Sequence, residues 1–179
     1  NANYDIAVAS INFSIAQANQ ATVVLSTTTG VYLTGLTLAA AGGSGTGGYS
    51  FAVTATGTAG CGITSGVLNA TSPGSCTVTA TRATSTNYLV ASSVATTVTI
   101  GKATQSVVTL TSTSGTFNTN VSLSASGGTG LGSYSYAVTD AGSAGCSLAT
   151  STSLRSSGAG TCTVTATRAS DSNYESKSS

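Results

Sequence analysis

The chain has 179 residues, of which 5% are charged; five side chains are basic, four are acidic, none is histidine, and the net charge is +1. Against a usual charged fraction of about a quarter, this leaves no electrostatic footprint for nucleic acid or anionic lipid, and no apolar run reaches the roughly 20 residues that cross a bilayer. Nucleic-acid binding and membrane insertion are therefore not expected. With Ser and Thr at about a third of positions and Lys and Glu almost absent, the composition points to β-structure over helix or charge-driven disorder.

The first segment, 1–17, holds one alternating run, Val8 to Ile15, in which Ile11, Phe13 and Ile15 stand against Asn12 and Ser14. A lone strand cannot fold, so this segment reads as the final strand of a preceding repeat or of a neighbouring subunit. No basic-then-apolar leader opens it, so the chain reads as a processed product or an excerpt of something longer.

The next 85 residues contain several period-two runs: Thr22 to Ser26, Leu36 to Ala40, Tyr49 to Thr54, Val67 to Ala70, Cys76 to Thr81 and Val94 to Ile100. Gly, Ser, Asn and Pro clusters separate them. The Gly42 to Gly48 loop precedes a strand and not a helix, so it lacks the helix N-terminus that a phosphate cradle requires. About seven short strands in a unit of this size predict an antiparallel β-sandwich of immunoglobulin type.

The unit then repeats. Gly30 to Gly43 recurs as Gly115 to Gly128, and Cys76-Thr77-Val78-Thr79-Ala80-Thr81-Arg82 recurs as Cys162-Thr163-Val164-Thr165-Ala166-Thr167-Arg168. The pair Asn87-Tyr88 recurs as Asn3-Tyr4 and as Asn173-Tyr174. The chain divides into a repeat's tail (1–17), one whole repeat (18–102), and a repeat lacking its final strand (103–179). Between the repeats, Ile100-Gly101-Lys102-Ala103-Thr104-Gln105 contains no flexible spacer, which predicts a short, stiff joint and a linear rod of tandem sandwiches. Gln20 and Gln105 hold equivalent places beside that joint, with Gly101 and Lys102, and are expected to hydrogen-bond across it. Arg82 and Arg168 precede Tyr88 and Tyr174 by six residues and are expected to stack on them.

The four cysteines fall two per repeat, Cys61 with Cys76 and Cys146 with Cys162, and no histidine accompanies them. Two disulfides are the economical reading, and they imply an oxidising, extracellular setting.

The string Gly42 to Val53, then Ala59-Gly60-Cys61, Cys76 to Ala83, Asn87-Tyr88 and Ala95 to Ile100, resembles the tandem immunoglobulin-like repeats of large bacterial surface proteins and adhesins. The resemblance covers essentially the whole chain. It implies a bacterial cell-surface stalk or fibre module whose partners are copies of itself or adjacent repeats, head to tail, and the cell envelope or a host surface.

No catalytic, metal or cofactor site is expected. From Ile6 through Thr139 there is no carboxylate, which removes paired-acid hydrolysis, calcium clamps and acid-promoted isopeptide cross-links from the complete repeat. Without histidine, no Ser or Cys nucleophile has a base of that kind. The rival to a structural role is an adhesive module that grips a glycan or surface through Thr77, Thr79 and Thr81 and their copies Thr163, Thr165 and Thr167. For these threonines the plain alternative is a solvated strand face.

Overall fold

A computed structural model gives the structure of residues 6–179, and every regular element in it is a strand. The first unit contains ten: β1 (Val23–Leu25), β2 (Thr29–Val31), β3 (Leu36–Thr37), β4 (Ala40–Gly42), β5 (Tyr49–Ala55), β6 (Gly62–Thr64), β7 (Val67–Asn69), β8 (Gly74–Arg82), β9 (Ala91–Ser92) and β10 (Thr96–Gly101). One layer is built from β1–β4 and β3–β7–β6; the other runs β2–β10–β8–β5, with β9 also on β8. All pairs in this unit are antiparallel except β2 with β10. Taking β1–β2, β3–β4, β5, β6, β7, β8 and β9–β10 as seven strand regions, the first, second, fourth and fifth face the third, sixth and seventh, with β2 crossing over to β10, which is the immunoglobulin connectivity.

Alternation decides what each layer buries. In β8, Cys76, Val78 and Ala80 are buried, while Thr77, Thr79 and Thr81 are half-exposed on the other face. In β10, Val98 and Ile100 are buried between exposed Thr97 and Thr99. These side chains meet Val23, Leu25, Leu38 and Leu68 from the facing layer to make the core. Full burial of each Val, Leu or Ile favours folding by roughly 1.5–3 kcal/mol. The expected strand from Val94 to Ile100 begins late, at Thr96, and Val94 is exposed. The cause is Ser93, whose buried hydroxyl accepts from the Ala80 amide and donates to the Val94 carbonyl, turning the chain before the ladder resumes.

The second unit contains β11 (Val108–Leu110), β12 (Val121–Ser122), β13 (Ala125–Gly127), β14 (Tyr134–Asp140), β15 (Ser147–Thr150), β16 (Ser153–Arg155), β17 (Thr163–Arg168) and β18 (Lys177–Ser178). Its pairings β11–β13, β12–β16–β15 and β14–β17–β18 reproduce those of the first unit. Even the irregularity in the third strand recurs, between Val53 and Ala55 and between Val138 and Asp140.

A disulfide joins Cys61 to Cys76 and another joins Cys146 to Cys162, with Cα separations of 6.0 and 6.1 Å. Cys61 and Cys146 immediately precede β6 and β15 in one layer; Cys76 lies in β8 of the other, and Cys162 immediately precedes β17.

Candidate strand-acceptor groove

The two units differ where β10 lies in the first. The described residues stop at Ser179, the place of Ser93, and three differences between the units accompany that. The segment Ser114 to Thr116, which matches β2 in the sequence, forms no strand. A parallel partner such as β10 is what draws Thr29–Val31 into a ladder. The central strand is shortened: β8 runs over nine residues from Gly74, whereas β17 runs over six from Thr163. Core side chains also lose cover. Val78, Leu68 and Cys76 are at most 2% exposed, while their counterparts Val164, Leu154 and Cys162 are half-exposed.

Together these changes leave a groove of about 510 Å³ between the layers of the second unit. Its apolar lining includes Leu110, Phe117, Val121, Leu123, Leu154 and Val164. In the repeat frame these match Leu25, Tyr32, Leu36, Leu38, Leu68 and Val78, all members of or packed against the first unit's core, which β10 completes with Val98 and Ile100. Repeat alignment could have named the lining from the sequence; nothing in any single residue marks it. The groove therefore presents apolar walls and unpaired backbone along the N-terminal end of β17 and the Ser114 to Thr116 segment, the chemistry that accepts an added strand.

At the other end, Ile11, Phe13 and Ile15 are 76%, 85% and 94% exposed, in a segment with no strand partner among the described residues. The Asn3-Tyr4 pair lies outside the described residues. Regular pairing begins at Ala18, whose amide donates to the Asn87 carbonyl and whose carbonyl accepts from Leu89.

Ala103 repeats that contact in the second unit, with Asn173 and Glu175 as partners. Just before it, Gly101 is still bonded to the first unit through the Tyr32 amide. Lys102 is thus the single residue between a backbone bond to one unit and a backbone bond to the next. Tyr32 meets Tyr174 edge to face across the joint, with ring centroids 6.3 Å apart.

Gln20 and Gln105 do not span this joint, contrary to the sequence expectation. Gln105 donates to the carbonyls of Ala169 and Glu175 and accepts from the Gly130 amide, all within its own unit. Gln20 does the same with Ala83, Leu89 and Gly45. Each amide is the right length to reach three loops that converge at one end of its sandwich, and their backbone groups have no ladder to join. The arginines also differ from expectation. Arg82 stacks on Tyr49 at 4.6 Å and Arg168 on Tyr134 at 4.8 Å, because Tyr49 and Arg82 are cross-strand partners, as are Tyr134 and Arg168. Tyr88 and Tyr174, six residues further on, lie beyond the turn.

The second unit carries one ionisable cap that the first lacks. Asp171, at the place of Ser85, accepts from the amides of Leu131, Asn173 and Tyr174. The Leu131 bond foremost, then the Asn173 and Tyr174 bonds and nearby Lys102, hold its carboxyl below the ordinary value of 3.8 against the opposing effect of burial. The threonine rows lie on the outer faces of β8 and β17. Their ends are engaged locally, Thr81 with Ser92 and Thr167 with Ser178, each at 2.8 Å. No cluster of metal-ligating side chains occurs among the described residues.

No protein family matches the chain. No curated protein matches it. Among solved structures, the Drosophila N-cadherin EC1-4 crystal structure is similar over 90% of this chain and 49% of its own, at 12% identity and a TM-score of 0.35. The chain thus spans about half the length of that structure. The immunoglobulin-type assignment rests on the strand order and register given above.

Proposed function

We propose that the chain is a structural repeat of an extracellular bacterial surface fibre or adhesin stalk, in which immunoglobulin-like sandwiches follow one another end to end through strand completion, by covalent continuation or by a donor strand. The observation that carries this reading is the repeated strand pairing of the two units on either side of a one-residue joint. The one-residue joint at Lys102, with its flanking backbone bonds, favours a stiff linear rod. Two disulfides suit an oxidising location outside the cytoplasm.

Strand completion is tested by extending the chain. Ser179 stands in the place of Ser93, its hydroxyl accepting from the Ala166 amide as that of Ser93 accepts from Ala80. Appending a copy of the sequence Val94 to Lys102 directly after Ser179 therefore supplies the missing strand in frame. The extended chain should unfold at higher denaturant, and the half-exposed Val164 and Leu154 should gain protection. An unchanged midpoint overturns strand completion. Electron microscopy of native material tests the fibre role, threads being the expected form.

A further inference from the structure

Beyond a structural role, we propose that the second unit carries a binding site for an acidic sugar residue, centred on Arg155. The site lies on the outer face of β12–β16–β15, the layer opposite the threonine rows. Arg155 follows half-buried Leu154 in β16 and is exposed. Register gives it a neighbour on each side: Ser147 is its partner on β15, and Asn120 stands one step before the Val121–Leu154 pair. Asn120, Arg155 and Ser147 thus form a row across the layer. A cleft of about 420 Å³ opens over it, with Asn118, Ser156 and Ser157 also in its lining. That volume falls within the range of small-ligand pockets, about 300–1,000 Å³.

The first unit shows that this row is not a by-product of the fold. Its equivalents there are Gly35, Asn69 and Gly62, with Leu33 and Ala70 at the places of Asn118 and Ser156. These positions come from separate segments of chain, yet each carries a larger or newly hydrogen-bonding group in the second unit. The change extends to what supports the row. A Cβ at Gly35 would lie 2.8 Å from Val67 Cγ1, closer than side-chain atoms approach. At the place of Val67 the second unit has Ser153, its hydroxyl bonded to Thr150 at 2.8 Å, and the smaller side chain makes room for Asn120. The adjoining turn is the same in both units: the Thr34 amide donates to Val31 at 3.1 Å and that of Thr119 to Thr116 at 3.2 Å, with φ 65° at Leu33 and 66° at Asn118. The backbone holds its form while the side chains differ, so the site is made by its residues and not by a loosened frame.

Arg155 is also the arginine that the fold does not use. Arg82 and Arg168 stack on tyrosines and bond loop carbonyls. Asn69, the counterpart of Arg155, bonds back to the Val67 carbonyl at 3.2 Å. Arg155 donates Nε to Ser147 Oγ at 3.4 Å, and its Nη groups have no hydrogen-bond partner among the described residues. A guanidinium fork with free donors binds a carboxylate through parallel bonds. Amides and hydroxyls both donate and accept, which matches the ring hydroxyls of a sugar. The row therefore fits a hexuronic acid, with its carboxylate on Arg155 and its ring hydroxyls on Asn120, Ser147 and Ser156. A neutral sugar leaves the cation unpaired, and a simple anion leaves the amide unused.

Titration of the full chain with glucuronic acid, followed by NMR of backbone and side-chain N–H groups, tests this. Saturable shifts centred on Asn120, Ser147 and Arg155 are expected. Glucose and acetate should each bind about tenfold more weakly or worse, since one lacks the charge-assisted bonds and the other the hydroxyl contacts. Arg155→Asn and Asn120→Gly install the first unit's residues. Each should weaken glucuronic acid binding by about tenfold with unchanged melting, because both side chains are exposed. Arg155→Lys should bind little better than Arg155→Asn, because an ammonium lacks the fork. Acetate binding as tightly as glucuronic acid would mean an anion contact alone and would overturn the sugar site. Glucose matching glucuronic acid, or binding that survives Arg155→Asn, would remove Arg155 from the centre of it. No shift along the row at any concentration of glucuronic acid refutes the site outright.

Discussion

Replacing Gln105 with Ala should cost the second unit more stability than the matching change at Gln20 costs the first, although the two side chains make the same three hydrogen bonds. Gln105 donates at 3.0 and 2.8 Å and accepts at 3.2 Å; Gln20 donates at 3.0 and 2.7 Å and accepts at 3.2 Å. They differ in water access: Gln105 is 4% exposed, whereas Gln20 is half-exposed. An intramolecular hydrogen bond contributes about 1 kcal/mol net, and a buried group left without a partner costs about 1–3 kcal/mol. Truncation at Gln105 strands the buried Gly130 amide and two part-buried carbonyls, so the loss should approach about 3 kcal/mol. At Gln20 water can re-bond the same groups, and about 1 kcal/mol is expected. Guanidinium unfolding of the two single variants and the double variant measures this, and the sites are far enough apart for their losses to add. Exchange of the Gly130 amide should accelerate specifically in Gln105→Ala. Equal losses at the two positions, or a loss at Gln105 below about 1 kcal/mol, would refute the argument that burial sets the value of the clamp.

Four further outcomes follow from the two units. Mild reduction of the native chain should open Cys146–Cys162 before Cys61–Cys76, because Cys162 is half-exposed while Cys61 and Cys76 are 3% and 2% exposed; alkylation and peptide mapping would show the order. Replacing Cys61 and Cys76 with Ser should destabilise the first unit by about 3 kcal/mol in denaturant unfolding, as expected for a closed loop of that length. Acid should act on the second unit first. The folded Asp171 carboxyl lies below 3.8, so its contribution is complete above that value and is lost as pH falls through the lower folded one. Amide exchange at Leu131 should accelerate in that range, and Asp171→Asn should remove the dependence. Finally, Leu33 holds φ at 65° in an exposed turn where the second unit has Asn118 at φ 66°. Leu33→Asn should therefore raise the first unit's stability by about 0.5–1 kcal/mol in thermal unfolding, since Asn tolerates the left-handed region better.

The sequence alone was enough for the β-class and the pairing of the cysteines. Each depends on a periodic or compositional signal carried by neighbouring residues: alternation in Tyr49 to Thr54 and Cys76 to Thr81, and two cysteines in the same place in each unit. It also marked Ile11, Phe13 and Ile15 as an alternating apolar segment needing cover. The sequence did not locate the partners of Gln20 and Gln105. Their hydrogen bonds go to carbonyls more than sixty residues away, on loops brought together only when the layers close. Arg82 was assigned to the wrong tyrosine for the same reason: cross-strand register places Tyr49 beside it, and sequence distance does not encode register. The groove is likewise a tertiary property. Leu110, Val121, Leu154 and Val164 look like ordinary core residues one at a time. The closed first unit, with Val98 and Ile100 seated against their counterparts, shows what those positions cover, because a cavity is defined by where chains meet and not by the residues that line it.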